Sequence, residues 1–515
     1  MMFLVRSPRP GRNGLLLLGA LITVAGCKAG PEYVRPAAAL PATWKTPAGW
    51  SVAAPADRAL RGDWWALFDD RTLDALMIRA DTANQTLAGT AANFAQARET
   101  VRETRAASLP TVDLSGTANY QGQGGSNRTI TDPVTGQIVT IGGSRRTTRL
   151  QLGLGVSWAP DLFGRIARSV EANRASAEAA LADLGSARLA VHGELAINYL
   201  ALRGTDEEIG IVGQTIAGYQ RAFRIADNRY RAGIAIRTDV FDAEAQLSST
   251  KAVLEGLRRD RQSYENAIAV LVGTPASNFH IAVAKPIPTV PVVPATLPST
   301  LLERRPDIAA AERRVAAANA RIGVEQSAFF PALSLSASGG QNAASFGALV
   351  GTAANVWSLG TGLAQTLFDN GARSARVEQA RYAYDAAVAN YRQTVLIAFR
   401  EVEDQLTAGV VLARQQALLR NASDAAGRSE ATLLNRYQSG QIAYTDVVIA
   451  QATALNARRA LIQASIDRQT SAVALIQAIG GGWASSPTGS SGLASDMRPP
   501  AQPRTGSNQG PMSID

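Results

Sequence analysis

The chain has 515 residues, 46% of them hydrophobic and 18% charged, with a formal net charge of +9 that falls to about +6 once the three arginines of the first 26 residues are removed. That length has room for two or three ordinary domains. The modest positive excess, without a basic block interleaved with aromatics, argues against a nucleic-acid partner. One cysteine, Cys27, and two histidines, His192 and His280, exclude a disulfide framework and leave too few ligands for a zinc or transition-metal site. No GxxxxGK[ST], HExxH or GxSxG occurs, so neither catalysis nor a cofactor is expected, and both histidines are read as structural or solvent-exposed.

Residues 1–26 read as an export signal: Arg6, Arg9 and Arg12 precede the apolar run Leu15–Ala25. As a helix that run reaches only ~17 Å, too short for a ~30 Å hydrocarbon core. Val24-Ala25-Gly26-Cys27 looks like a lipobox, with Cys27 as the acyl-bearing thiol. Three acyl chains would exceed what a stable anchor needs, and Lys28, where Asp would signal inner-membrane retention, points to the outer membrane. Residues 27–62 form an extended, proline-studded arm.

The remainder divides into 63–273 and 300–482, joined by a Pro-rich linker at 274–299, with a Ser/Gly/Pro tail over 483–515 expected to be disordered. The halves repeat one plan. Arg229-Tyr230-x-x-Gly233-x4-Thr238-Asp239-Val240 returns 207 residues later as Arg436-Tyr437-x-x-Gly440-x4-Thr445-Asp446-Val447. Leu162-Phe163 with Ala167-Arg168-Ser169 returns as Leu367-Phe368 with Ala372-Arg373-Ser374, an offset of 205, and Leu109-Pro110 returns as Phe330-Pro331, an offset of 221.

Period-two alternation predicts strands near 111–120, 147–159, 332–339 and 355–367. Val112, Leu114, Ala118 and Tyr120 alternate with small or polar residues, as do Leu150, Leu152, Leu154, Val156 and Trp158. Such segments with terminal aromatics carry the transmembrane β signature, and the Gly/Ser/Asn-rich stretches 121–148 and 340–354 suit extracellular loops. Four strands do not close a barrel, and open edges are not tolerated in lipid, so spanning requires subunits to pool their strands. From Ile166 to about Tyr230, and again from Gly371 to Tyr437, proline-free Ala/Leu/Arg/Gln sequence predicts helices of roughly 98 Å, long enough for a coiled-coil tube or spacer.

Three blocks then resemble the lipoprotein branch of the outer membrane factor family, the TolC/OprM type: Cys27-x-x-Gly30-Pro31-x-Tyr33-x-x-Pro36, Trp64-Trp65-x-x-Phe68-x-Asp70-x-x-Leu73, and Leu301-Leu302-Glu303-Arg304-Arg305-Pro306-Asp307-Ile308. The resemblance covers 27–482. It implies a mostly α fold with membrane β: duplicated long-helix coiled-coil hairpins plus four strands per chain, assembled as a trimeric α/β-barrel channel. It also implies partners, namely two further copies of the chain, a periplasmic adaptor (membrane fusion protein), an inner-membrane resistance–nodulation–division (RND) transporter and outer-membrane lipid. By the same resemblance Gly233 and Gly440 sit at the adaptor-contacting tips. Thr238 and Asp239 match positions that hydrogen-bond to a tyrosine on the neighbouring hairpin, here Tyr437, and Asp446 matches an aperture carboxylate. A plainer reading makes Asp239 and Asp446 helix N-caps. Ile442 and Ile449 stand where part of the family carries a further arginine and a second aperture aspartate, implying a more apolar lock. The expected function is passive conduction as the exit duct of a tripartite efflux system. A duct for protein secretion, or a non-conducting periplasm-spanning lipoprotein, remain open alternatives on sequence.

Overall fold

The computed structural model describes residues 28–37, 63–124, 128–141, 145–283, 290–291, 305–351 and 355–481. The export signal, Cys27, the arm beyond residue 37, much of the 274–299 linker and the tail lie outside these residues.

Among the described residues a 3-10 turn at Trp64–Phe68 is followed by seven α-helices: α1 Arg71–Ala83, α2 Gln85–Ala106, α3 Arg165–Arg231, α4 Arg237–Leu271, α5 Pro306–Ser327, α6 Ala372–Gln438 and α7 Tyr444–Ala478. The strands are β1 Thr111–Gln123, β2 Arg128–Thr131, β3 Ile138–Ile141, β4 Arg145–Trp158, β5 Ala332–Ala343 and β6 Asn355–Ala364. The duplication is geometric as well as sequential. Helices α3 and α6 each have 67 residues, α4 and α7 each have 35, and all four boundaries repeat at an offset of 207. Helices α2 and α5 have 22 residues each, at an offset of 221. A 67-residue helix is about 100 Å long.

One sequence correspondence needs correcting. The Ala-Arg-Ser match at offset 205 is two residues out of helix register. The N-cap glycines of α3 and α6, Gly164 (φ 77°) and Gly371 (φ 86°), are 207 apart. The second copy carries two extra residues, Asp369 and Asn370, between its Leu-Phe pair and that glycine. Arg168 and Arg373 accordingly do different work. Arg373 pairs with Asp369 at 2.7 Å, whereas Arg168 is buried and grips the N-terminal arm.

Four strands form one antiparallel sheet in the order β1-β4-β5-β6. Its register puts Val112 opposite Val156, Leu114 opposite Leu154 and Leu333 opposite Leu363, so the apolar side chains share one face. On the other face Thr111 meets Ser157 with hydroxyls 2.7 Å apart, and Ser338 meets Ser358 at 2.9 Å. The apolar face stays open: Leu114 is 72% exposed, Trp357 78% and Leu359 77%. Strands run further outward than the alternation predicts, and β6 ends at Ala364 rather than 367. Inside the expected loop 121–148 a second hairpin, β2–β3, turns through Asp132-Pro133-Val134-Thr135-Gly136. Gly136 takes φ 68°, and the Asp132 carboxylate accepts from Val134 N at 2.9 Å and Thr135 Oγ1 at 2.8 Å. Among the described residues no helix is long and apolar enough to cross a membrane.

The main core is a belt around the middle of α3, where Trp64, Trp65, Phe68, Leu73 and Met77 pack against Leu195, Tyr199, Val395, Val402 and Val473. Asp70 caps α1 by accepting from Thr72 N (2.8 Å) and Leu73 N (3.1 Å), and receives the Tyr199 hydroxyl at 2.6 Å. That double duty explains the Trp-Trp-x-x-Phe-x-Asp block. Arg305 explains the Arg-Pro-Asp block. It forks onto Asp307 at 3.0 and 2.7 Å and reaches Glu401 at 2.7 Å and the carbonyl of Ala478 at 3.0 Å, tying α5 to α6 and α7. Both histidines meet a carboxylate, His192 Nε2 lying 2.8 Å from Asp81 with its ring edge-on to Trp65, and His280 Nδ1 lying 2.9 Å from Glu265.

The arm that follows Cys27 is seated on α3 and α5. Arg168 donates to the carbonyls of Ala29 (2.9 Å) and Gly30 (3.2 Å) and pairs with Glu32 at 2.9 Å, while Asn319 Nδ2 reaches Pro31 O at 3.0 Å. The Tyr33 hydroxyl donates to Glu312. Gly30, at φ +98°, lies so close to Gly323 that a Cβ would stand 2.4 Å from its Cα. Only glycine fits both the left-handed backbone and the gap.

Candidate aperture at the hairpin tips

Each long helix turns into its shorter partner through the same backbone device. At the end of α3 the N–H of Gly233 bonds to Tyr230 O and that of Ile234 to Arg229 O, both at 2.9 Å. At the end of α6 Gly440 bonds to Tyr437 O and Gln441 to Arg436 O, also at 2.9 Å. This paired pattern closes a helix with a left-handed residue at C′, and Gly233 (φ 72°) and Gly440 (φ 75°) supply it. Three residues separate each glycine from the start of the next helix.

That spacing corrects the capping reading of the two aspartates. The N-cap positions are Ile236 and Ala443, neither of which offers a side-chain bond. Thr238 and Asp239 are therefore the second and third residues of α4, and Asp446 the third of α7. A carboxylate in the first turn still meets the positive end of the helix dipole, but it does not cap.

The two hairpins meet in a small apolar cluster of Ala222, Ala226, Ala243, Tyr437, Tyr444 and Val447, with Ile442 packed at its edge. Tyr437 is only 2% exposed, and its ring centre is 5.0 Å from that of Tyr444. Arg229, from the first hairpin, lies with its guanidinium carbon 4.9 Å from the Tyr437 ring centre and donates Nη1 to the carbonyl of Tyr437 at 2.9 Å. A cation thus sits on the last carbonyls of α6, where the helix dipole favours it. The duplicated Arg-Tyr pair is used asymmetrically: Tyr437 is buried under Arg229, while Tyr230 is 40% exposed.

Within the chain, the Tyr437 hydroxyl is buried with no hydrogen-bond partner among the described residues. Neither Thr238 nor Asp239 bonds to it. Asp239 is nonetheless close enough that its charge, after burial, is the next cause holding the Tyr437 hydroxyl above the ordinary tyrosine range, while Arg229 opposes it. The Asp239 carboxyl is itself pushed up by burial and by Asp242, with Arg229 pulling it down. Asp446 is outside this cluster. It is exposed and lines a shallow groove with Ser429, Leu433, Ile449, Ala450 and Thr453. The structure therefore groups Arg229, Asp239, Tyr437 and Tyr444, and leaves Thr238 and Asp446 exposed and apart from that cluster. Sequence reasoning missed Arg229 and Tyr444 as contact residues. The repeat itself held the signal for Arg229, since an arginine near a helix end is placed to reach terminal carbonyls.

Among the described residues no group of His, Cys, Asp and Glu is placed to hold a metal ion.

The sequence model of the family described as "Outer membrane efflux protein" matches residues 77–274 and 297–481. The chain is 32% identical over 493 residues to the outer membrane protein OprJ of Pseudomonas aeruginosa, covering 93% of this chain and 97% of that one. It is 29% identical over 480 residues to the solvent efflux pump outer membrane protein SrpC of Pseudomonas putida, covering 90% and 97%. Its fold superposes on the outer-membrane channel OprN with a TM-score of 0.77 at 30% identity, over 88% of this chain and 99% of that one. With a sheet whose apolar face is open, two hairpins built on 67-residue helices and matches of this extent, the chain belongs to the outer membrane efflux protein family.

Proposed function

We propose that three copies of this chain assemble into a lipid-anchored duct that passively conducts small molecules outward. The observation that carries this is the sheet. Strands β1 and β6 are left as unpaired edges on a surface whose other face is lined with exposed leucines, a combination that survives in a bilayer only if neighbouring chains close the edges. Three four-stranded sheets give twelve strands, and three pairs of hairpins give the helical tube below. In this reading Cys27 carries the acyl anchor, and the arm that follows it is held against the start of α3 by Arg168.

The tube ends at Gly233 and Gly440, where a periplasmic adaptor docks, and an inner-membrane RND transporter supplies the energy. The chain itself performs no bond chemistry and needs no cofactor. SrpC belongs to a solvent efflux pump, which supports small molecules rather than proteins as cargo. In this reading Arg229, Asp239, Tyr437 and Tyr444 hold the two hairpin tips of each copy together when the aperture is closed, and three exposed Asp446 carboxylates form a cation-attracting constriction. Native mass measurement of the detergent-purified protein tests the assembly. Three copies carrying the mass of acylated Cys27 are expected, and a monomer, or a trimer without acyl mass, contradicts the corresponding part of the reading.

A further inference from the structure

The outer end of the sheet carries a charge pattern that the closed inner tip does not account for. Between Asn119 and Leu150 the sequence holds four arginines, Arg128, Arg145, Arg146 and Arg149, and one carboxylate, Asp132. The corresponding stretch between β5 and β6, residues 338–357, holds no charge. Asp132 is engaged by its own turn through Val134 N and Thr135 Oγ1.

Position within the pleat decides what Arg149 faces. It pairs with Asn119, and the same face continues through Gln151 opposite Thr117, Gly153 opposite Ser115 and Gly155 opposite Asp113. This is the small, polar face, opposite the one bearing Leu114, Leu152, Leu154 and Trp357. In a closed barrel the leucine face meets lipid, so Arg149 points into the lumen. Its level is set by the adjacent pair Tyr120–Thr148, which places it with the aromatic residue at the outer edge of the apolar band. The residue is exposed, and its guanidinium has no partner among the described residues.

The one other charge on the described lumen-facing strand side chains is Asp113, six residues along β1 from Asn119. At ~3.3 Å per residue they are ~20 Å apart, more than two Debye lengths (~8 Å each) at physiological salt. Asp113 therefore does not neutralise Arg149.

We propose that Arg149, repeated in the three copies, forms an anion-attracting ring at the outer mouth, so that the duct ends in a filter of opposite sign to the Asp446 ring at its inner tip. Its ligands are small inorganic anions and carboxylate- or phosphate-bearing solutes in transit. The proposal rests on the trimeric-duct reading above.

The test is the reversal potential in planar bilayers under a potassium chloride gradient, with Asp446→Ala as the parent so that the inner ring does not mask the outer one. Arg149→Gln is expected to lower the chloride-to-potassium permeability ratio about threefold or more, and Arg149→Glu to lower it further. Arg149→Lys, which keeps the charge, should stay at the parent value, and the difference between variants should fade at 1 M salt, where screening is within ~3 Å. A conducting channel whose selectivity is the same in the Gln and Glu variants overturns the ring while leaving the duct intact. Absence of conductance from the parent itself, with the adaptor present, overturns the duct and the ring with it.

Discussion

Replacing Arg229 with alanine removes a side chain that clamps the first hairpin tip to the second by a hydrogen bond and a cation–π contact. Its Nη1 donates to Tyr437 O at 2.9 Å, and its guanidinium carbon lies 4.9 Å from the Tyr437 ring centre. A hydrogen bond from a charged donor contributes ~1.5–3 kcal/mol and an accessible cation–π contact ~0.5–1 kcal/mol. Arg229 is partly exposed, so solvent screening discounts the sum to about 2 kcal/mol. If the tips part along this contact, that energy is a shift of roughly thirtyfold in the ratio of closed to open channels. The assay is open probability in planar bilayers, with vancomycin sensitivity of cells expressing the variant as the cellular counterpart. Arg229→Lys should fall between, because an ammonium keeps the charge but not the planar stacking. An Arg229→Ala channel that opens as rarely as wild type, at equal surface expression, would refute the view that this contact holds the tip closed.

Other outcomes follow from the same geometry. Tyr437→Phe tests the hydroxyl apart from the ring: it is buried and bonds to none of the described residues, so the variant is expected to stay as closed as wild type, and a leaky one would mean that the hydroxyl takes a partner when the channel closes. Asp239 is held above the ordinary carboxylate range chiefly by burial and then by Asp242. Its charged form is therefore disfavoured in the closed tip, closure is favoured at pH values below its raised pKa, and that advantage is lost as pH rises through it. Open probability measured from about pH 4 to 7 should rise with pH, and Asp239→Asn should flatten the profile unless another group controls it. Arg305→Ala removes a buried guanidinium from the Ala478 carbonyl and from two partly exposed carboxylates, Asp307 and Glu401, and after discounting for solvent screening is expected to destabilise the belt by about 2 kcal/mol, visible as a lower denaturant midpoint. An unchanged midpoint would mean those groups are rehydrated without loss. Gly30→Ala, which drives a Cβ to 2.4 Å from Gly323 Cα, should release the arm, and limited proteolysis near residues 28–37 reports it. Continued protection would show that α5 gives way.

The fold was legible because its two periodicities differ so plainly. Leu150-x-Leu152-x-Leu154 admits only a strand, and an Ala/Leu/Arg stretch of more than 60 residues without proline admits only a helix. Fixing the register of the repeat was harder. The Ala-Arg-Ser match was good local similarity, but helix start is decided by the left-handed cap glycine, and two inserted residues moved Arg373 away from the place of Arg168. The tips show the limits of one-dimensional reading in another way. Gly233 and Gly440 were evident as turn glycines, yet whether Asp239 stood at the cap or three positions further in depended on the three-residue connection after Gly233. Arg229 gained its role from a contact with Tyr437 about 200 residues away, and Tyr444 from a ring contact with Tyr437 across the turn, neither of which spacing alone reveals. The β2–β3 hairpin was readable in principle, since Asp-Pro-x-x-Gly between Ile130 and Ile138 is a turn signal.

The most direct test of the central claim is single-channel conductance of the purified, lipidated protein in a planar bilayer, wild type beside Asp446→Ala and Arg229→Ala. The account predicts small, rare, cation-selective openings for wild type, weaker cation selectivity for Asp446→Ala, and frequent, larger openings for Arg229→Ala. A confirmed trimer that conducts in none of the three, even with its adaptor added, would contradict it and leave the chain a spacer without a pore.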